Sequence, residues 1–149
     1  MIDLHSTTAQ NLDFLYLVNL LDADLAFRDG DDHTFYAQYN KVDQIRHCLV
    51  AYENSHPVGC GAFRHVDNNT VEIKRMFVEI SSRNKGIATK ILSGLEGWAS
   101  EMNYIYCILE TGFKQPEAID FYLKCGYHRI PNYGHYVGVN NSICFSKVI

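Results

Sequence analysis

Residues 70–92 read Thr-Val-Glu-Ile-Lys-Arg-Met-Phe-Val-Glu-Ile-Ser-Ser-Arg-Asn-Lys-Gly-Ile-Ala-Thr-Lys-Ile-Leu. The run from Val71 to Val78 has strand character. A short polar loop follows, ending in Arg83-Asn84-Lys85-Gly86-Ile87-Ala88, where a helix pattern begins. A strand feeding a helix through such a turn leaves backbone N–H groups unpaired at the positive end of the helix dipole, which makes an anion site. Glycine at 86 and alanine at 88 keep side-chain bulk away, so a phosphate can approach the backbone. Arg83 and Lys85 add positive charge. The spacing departs from the commoner phosphate loops. The chain contains neither G-x-x-x-x-G-K-[ST] nor G-x-G-x-x-G, and Gly59 and Gly61 lack the third glycine.

The surrounding sequence is that of an ordinary globular protein. A length of 149 residues fits one domain, 1–149, with a substantial core, and 47% hydrophobic and 20% charged residues are typical of a soluble chain. The net charge of −4 argues against a sequence-independent grip on nucleic acid. The five cysteines, Cys48, Cys60, Cys107, Cys125 and Cys144, are scattered and form no C-x-x-C. They read as reduced, buried thiols of a cytoplasmic protein, and no metal site is expected. No signal peptide and no membrane-spanning stretch is legible, so no membrane association is expected.

Working outward, residues 9–27 predict an amphipathic helix, with Leu12, Leu15, Val18 and Leu25 on its apolar face. Residues 28–41 have no clean period and read as a loop with one or two helical turns. His47–Tyr52 and Val58–Val66 form a hairpin around Asn54-Ser55-His56-Pro57, and the turn Asp67-Asn68-Asn69 leads to the strand 70–78. Ile87, Ile91, Leu92, Leu95, Trp98, Ala99 and Met102 define one buried face of a helix from Gly86 to Met102. Gly94 and Gly97 interrupt it and suggest close packing. Tyr104–Leu109 is a strand. Gln115–Lys124 is a helix opened by Pro116 and closed by Gly126. Tyr127–Ile130 and Ser142–Val148 end the chain as antiparallel strands. The segment 70–111 is then a right-handed βαβ unit, and ligands in such sheets bind beyond the carboxyl ends of the strands. That puts the 83–88 loop at a ligand mouth.

The R-x-x-G-x-A loop after a strand resembles the pyrophosphate loop of the GNAT superfamily of acetyl-CoA-dependent N-acetyltransferases. Downstream, Ala118-Ile119-Asp120-Phe121-Tyr122-Leu123-Lys124-Cys125-Gly126-Tyr127 resembles the family's closing helix, with a tyrosine four residues before a Gly-aromatic pair. The resemblance covers roughly residues 10–149. It implies a mixed α/β (α+β) fold, with a central sheet of about six to seven strands flanked by helices. It also implies acetyl-CoA as donor, with no metal. The pyrophosphate would sit on Arg83, Asn84, Lys85, Gly86, Ile87, Ala88 and Thr89. The acetyl-pantetheine arm would run along Met76, Phe77 and Val78 like an added strand. The family opens a gap beside this strand, often with a bulge, and the amide of Phe77 or its neighbour would polarise the thioester carbonyl.

Tyr122 matches the family's general acid, which protonates the leaving thiolate. Its alternative role is packing on an amphipathic helix. Glu72 lies eleven residues before Arg83, where several members of the resembled family carry a base glutamate, so the resemblance implies it as the candidate base. An alkylammonium must lose a proton before attack, at a cost of ~4–5 kcal/mol at pH 7. The alternatives for Glu72 are pairing with Lys74 or Arg75, or anchoring the substrate ammonium. Strand alternation puts Lys74 and Met76 on the face of Glu72 and Arg75 opposite. The acceptor pocket implied by the resemblance draws on Lys74, Tyr36, Tyr39, Tyr133, His135 and Tyr136, with His135 a second candidate base. The function expected is acetyl transfer to a primary amine of a small molecule by direct attack. Protein lysine or N-terminal acetylation, or a non-catalytic CoA-binding regulatory role, are the alternatives. The sequence leaves a homodimer open.

Overall fold

The computed structural model describes residues 1–30 and 45–149. Seven strands form one sheet: β1 (Ile2–Thr7), β2 (His47–Glu53), β3 (His56–Asp67), β4 (Thr70–Val78), β5 (Tyr106–Gly112), β6 (His128–Ile130) and β7 (Ser142–Val148). Their order is β1-β2-β3-β4-β5-β7-β6. The described helices are α1 (Leu12–Asp29), α2 (Ile87–Glu101) and α3 (Pro116–Lys124). The expected mixed sheet with flanking helices is therefore found, and among the described residues the helix and hairpin boundaries fall within a few residues of the sequence reading, while the loop expected at 28–41 lies mainly outside them.

β1 is an addition. Its alternation of polar and apolar residues is weak, but it pairs along its whole length with β2, from Ile2↔Glu53 to Thr7↔Cys48. The helix expected at 9–27 starts later, at Leu12. The Asn11 side chain caps it by accepting the Phe14 amide at 2.9 Å. Its buried stripe is Phe14, Leu17, Val18 and Leu21, whereas Leu12 lies 81% exposed. The predicted stripe was rotated because Leu12 and Leu15 lie off the face that the fuller run of Phe14, Leu17, Val18 and Leu21 turns to the sheet.

α1 packs on one face of the sheet with Cys48, Val50, Cys60 and Ala62. α2 and α3 pack on the other, where Ile87, Ile91, Leu92 and Leu95 join Phe63, Val71, Ile73 and Tyr122. Gly59 and Gly61 let α2 approach. A Cβ on Gly61 would stand 2.5 Å from Met76 Sδ and 2.8 Å from Ile91 Cγ2. Gly94 has the same use, because its Cβ would meet Leu49 Cδ1 at 2.8 Å. Gly97 faces open space and has no packing role. All five cysteines are unpaired, with Cys125 half-buried and the rest buried. Burial pushes the Cys48, Cys60 and Cys107 thiols up to about 12.

Two departures from regular pairing position the site. β4 and β5 run parallel but pair only at Thr70↔Tyr106, Val71↔Cys107 and Glu72↔Ile108, and beyond Glu72 they part. The β3–β4 register also slips between Cys60↔Phe77 and Ala62↔Lys74, so Gly61 faces both Arg75 and Met76. This is a β-bulge, and Arg75 takes a φ of 59° to make it. The Cys60 thiol donates to the Arg75 carbonyl at 3.3 Å, and the Arg75 guanidinium pairs with Asp22 of α1. The bulge overturns the expected alternation. Arg75 lies on the α1 face with Glu72 and Lys74, and Met76 turns to the α2 face beside Gly61. One extra residue inverts every side chain after it.

Candidate active site

Past the bulge, the parted strands leave a cleft of about 370 Å³. Its floor is Met76, Phe77 and Val78 of β4. Its mouth is Ser82, Arg83, Asn84, Gly86, Ile87, Ala88 and Thr89, and its far wall is Ala118, Phe121 and Tyr122 of α3. Gly86 holds a φ of 78° as the residue before α2, which glycine adopts without strain, and a Cβ there would meet nothing within 4 Å. The first turn of α2 leaves its leading amides without intrahelical partners, and they open toward the mouth. Arg83 Nε donates to the Val78 carbonyl at 2.8 Å, and its guanidinium lies 5.6 Å from the Phe77 ring centroid. Lys85 is not on the cleft wall, because its Nζ turns to Glu53 Oε1 at 3.6 Å. Arg28 of α1 pairs with Asp24 at 3.2 Å and with Glu117 of α3, so an ion-pair clasp joins the two helices beside the cleft.

A second cavity, of about 120 Å³, lies on the other side of the strand parting. Asp29, Glu72, Lys74, Arg75, Glu110 and Tyr136 line it. Leu21, Met76, Gln115, Ala118 and Tyr122 line both spaces, so the two meet there. Tyr122 is 7% exposed and packs edge-on against Phe121 and Tyr127. Its hydroxyl has no hydrogen-bond partner among the described residues, and burial pushes its pKa well up. The phenol therefore keeps its proton throughout the neutral range.

Glu72 is 1% exposed and both its oxygens are engaged. Arg64 Nε donates to Oε1 at 2.6 Å, and the Tyr133 hydroxyl donates to Oε2 at 2.5 Å. Its hydrogen-bond donors are thus the cross-strand Arg64 and Tyr133, while Lys74 interacts with it electrostatically. The second carboxylate, Glu110 on β5, escaped the sequence reading. Burial raises its pKa from 4.5 to about 7, opposed by a Ser142 hydrogen bond and Lys74 and assisted by Glu72 and Asp29. Its Oε2 is buried with no hydrogen-bond partner among the described residues. The one available signal was a lone acid in the apolar run Tyr-Cys-Ile-Leu-Glu. Lys74 is half-buried in this acidic surround, and burial lowers its pKa.

Of the acceptor residues expected, Tyr136 and Lys74 line the cavity. Tyr133 sits behind Glu72 and reaches the site through it. His135 is exposed and packs against Tyr136, the rings tilted by 53° with centroids 4.1 Å apart, and it does not line the cavity. Tyr36 and Tyr39 lie outside the described residues. Asn132 fixes the loop that carries Tyr133 and Tyr136, donating through Nδ2 to the carbonyls of Tyr136, Val139 and Ser142 at 3.0–3.1 Å. Among the described residues no group of His, Cys, Asp and Glu is arranged to hold a metal ion, and no helix is long and apolar enough to cross a membrane.

Comparison with known proteins gives a consistent picture. The sequence profile of the acetyltransferase (GNAT) family matches residues 14–127. The Xenopus tropicalis protein named "Probable N-acetyltransferase 14" is 30% identical over 104 residues, which is 69% of this chain and 50% of that protein. The chain thus spans half the length of that curated relative. A candidate acyl-CoA N-acyltransferase from Klebsiella pneumoniae superposes with a TM-score of 0.82 at 24% identity, over 99% of this chain and 97% of the other. The PaiA N-acetyltransferase of Thermoplasma acidophilum, crystallised with coenzyme A, superposes with a TM-score of 0.74 at 15% identity, over 100% and 99% of the two chains.

Proposed function

The chain belongs to the acetyltransferase (GNAT) family, and from that premise we propose that it transfers an acetyl group from acetyl-CoA to a primary amine of a small molecule, by direct attack within one ternary complex. The observation that carries this reading is the junction of two unlike cavities at Tyr122. One is entered through an amide-rich, Arg83-bearing loop and the other is lined by carboxylates.

In this reading the donor fills the larger cleft. Its pyrophosphate takes the amides at the start of α2, and the Arg83 charge supports it. The Gly86 position leaves the backbone open to the phosphate. The pantetheine arm lies along β4 beyond Glu72, where β5 no longer pairs. Glu79 donates its amide to Val58 of β3 at 2.8 Å. Amides alternate along a strand, so those of Val78 and Met76 turn the other way, toward the cleft. The neighbour of Phe77 best placed to polarise the thioester carbonyl is therefore Met76, directly after the bulge.

Tyr122 stands where the thioester sulfur would leave. Desolvation keeps the phenol protonated, and the same desolvation makes a nearby thiolate a strong proton acceptor. Holding both reactants in line supplies much of the acceleration. The acceptor enters the 120 Å³ cavity, which takes an amine and a few further heavy atoms, and this favours a small molecule. The unpaired cysteines suit a reducing compartment such as the cytoplasm.

Thiol release from acetyl-CoA against amino acids, polyamines, aminoglycosides and lysine peptides tests the proposal. Amine-dependent release with a small amine supports it. Release with peptides alone would move the acceptor to proteins. Binding of acetyl-CoA with no release across the panel would leave a CoA-binding module.

A further inference from the structure

Two carboxylates face the acceptor cavity from the parted strands, and they differ in what holds them. Glu72 has both oxygens occupied, one by the Arg64 guanidinium and one by the Tyr133 hydroxyl. A proton delivered there would have to displace a charged partner or a short hydrogen bond at 2.5–2.6 Å. Glu110 has no guanidinium. Ser142 donates to its side chain, and Oε2 is buried and unpartnered among the described residues. It lines the cavity that meets the donor cleft at Tyr122 and Met76. It stands on β5 two residues past Ile108, the last position paired with β4, so on that side β5 is open while its other edge stays paired with β7 at Cys144.

Resting on the acetyltransferase reading, we propose that Glu110, and not Glu72, accepts the proton that the acceptor ammonium loses before attack. The ammonium carries three protons. One passes to the Glu110 carboxylate and then to solvent, and the freed lone pair forms the C–N bond at the thioester carbonyl. When the C–S bond breaks, the sulfur takes the proton of Tyr122. The phenolate recovers it from the second N–H, and the third stays on the amide. Charge and protons balance, with one proton released per turnover.

The groups facing Glu110 fit this task. Lys74 on β4 favours its ionised form, while Glu72 on β4 and Asp29 at the end of α1 disfavour it. From the β6–β7 side Ser142 donates to it, and Tyr136 and Cys144 sense its charge. Burial outweighs these and holds the carboxyl near neutrality, where a general base is most effective. Glu72 then has a different use: it holds the Tyr133 hydroxyl and the Arg64 guanidinium in place behind the cavity.

The test uses the full chain and two compact acceptors, methylamine and hydroxylamine, with thiol release corrected for the uncatalysed rate. At pH 7 methylamine is an ammonium that must lose a proton, whereas hydroxylamine is already uncharged. Glu110→Gln is expected to lower kcat/KM for methylamine at least tenfold and to remove the limb that rises through pH 7, with hydroxylamine affected less than about threefold. Equal losses with both amines, or an unchanged pH profile, would overturn the assignment. NMR of the wild-type chain carrying carbon-13 glutamate carboxyls gives an independent reading. A carboxyl titrating near pH 7 is expected, absent in Glu110→Gln, and none titrating above pH 6 would also overturn it. Calorimetry with acetyl-CoA separates the two levels. Failure of the wild-type chain to bind acetyl-CoA, or to release thiol with either amine, sinks the acetyltransferase reading itself.

Discussion

Removing the buried charge at Glu110 should change how stability depends on pH, whatever the chain catalyses. In the unfolded chain this carboxyl titrates at its ordinary value of 4.5, and in the fold burial raises it to about 7. Between those values the folded state holds a proton that the unfolded state has lost, so stability falls as pH rises through the interval and levels off above it. The full difference corresponds to about 3 kcal/mol. Between pH 5 and pH 8 the share lost is about 2–3 kcal/mol, since a little is already gone at pH 5. Glu110→Gln keeps the shape and cannot ionise, so it should escape this loss. For a chain of this size the gap amounts to about 5–10 °C in Tm, opening from pH 5 to pH 8. Urea unfolding of both chains at several pH values measures it. Titrations common to both proteins cancel in the difference. Stability curves that stay parallel across pH would refute the buried, unneutralised state assigned to Glu110.

Four further outcomes follow from the same geometry. Tyr122→Phe should lower kcat about tenfold or more with acetyl-CoA affinity changed less than about twofold, and steady-state kinetics with calorimetry would show unchanged turnover if the acid assignment were wrong. Gly86→Glu should abolish acetyl-CoA binding by placing bulk and like charge against the phosphates, so tight binding in calorimetry would remove the loop from the site. Gly61→Val should cost about 1–3 kcal/mol in urea unfolding, because its side chain would enter the space of Met76, Ile91 and Leu95. Glu72→Gln should lower methylamine and hydroxylamine turnover alike, because it releases Tyr133 and leaves Arg64 without its partner, and a loss confined to methylamine would return the base role to Glu72.

The sequence disclosed the parts of this fold whose signals are local. The strand ending at Val78, the glycine turn at 86 and the apolar face of α2 are contiguous, so each supports the others. Pro116 and Gly126 bracket α3 in the same way. β1 escaped notice because Ile-Asp-Leu-His-Ser-Thr has little apolar content, and the free edge of β2 is what holds it as a strand. The bulge at Arg75 was equally hidden. Nothing in Lys-Arg-Met-Phe announces an extra residue, and only the opposed Gly61, the Cys60 thiol and Asp22 make it stable. That hidden residue moved Arg75 and Met76 to opposite faces from those alternation assigned.

The site divides along the same line. Gly86, Arg83 and Tyr122 were singled out by motif, and the structure brings them to one cleft. Lys85 lies in the same motif but turns toward Glu53. Glu72 was singled out by the family resemblance, yet its environment depends on Arg64 across the hairpin and on Tyr133, far away in sequence. Glu110 has no motif at all. Its character comes from burial beside Asp29, Glu72, Lys74 and Ser142, which come from segments far apart in sequence and which no local pattern encodes.

The most direct measurement is the position of the thioester in a crystal structure of the chain with acetyl-CoA. The account predicts phosphates on the amides of residues 83–89, the arm along Met76–Val78, and the sulfur within hydrogen-bond reach of the Tyr122 hydroxyl. It also predicts that the carbonyl carbon opens onto the cavity of Glu110. An arm that leaves β4, or a thioester pointing away from Tyr122, would contradict it.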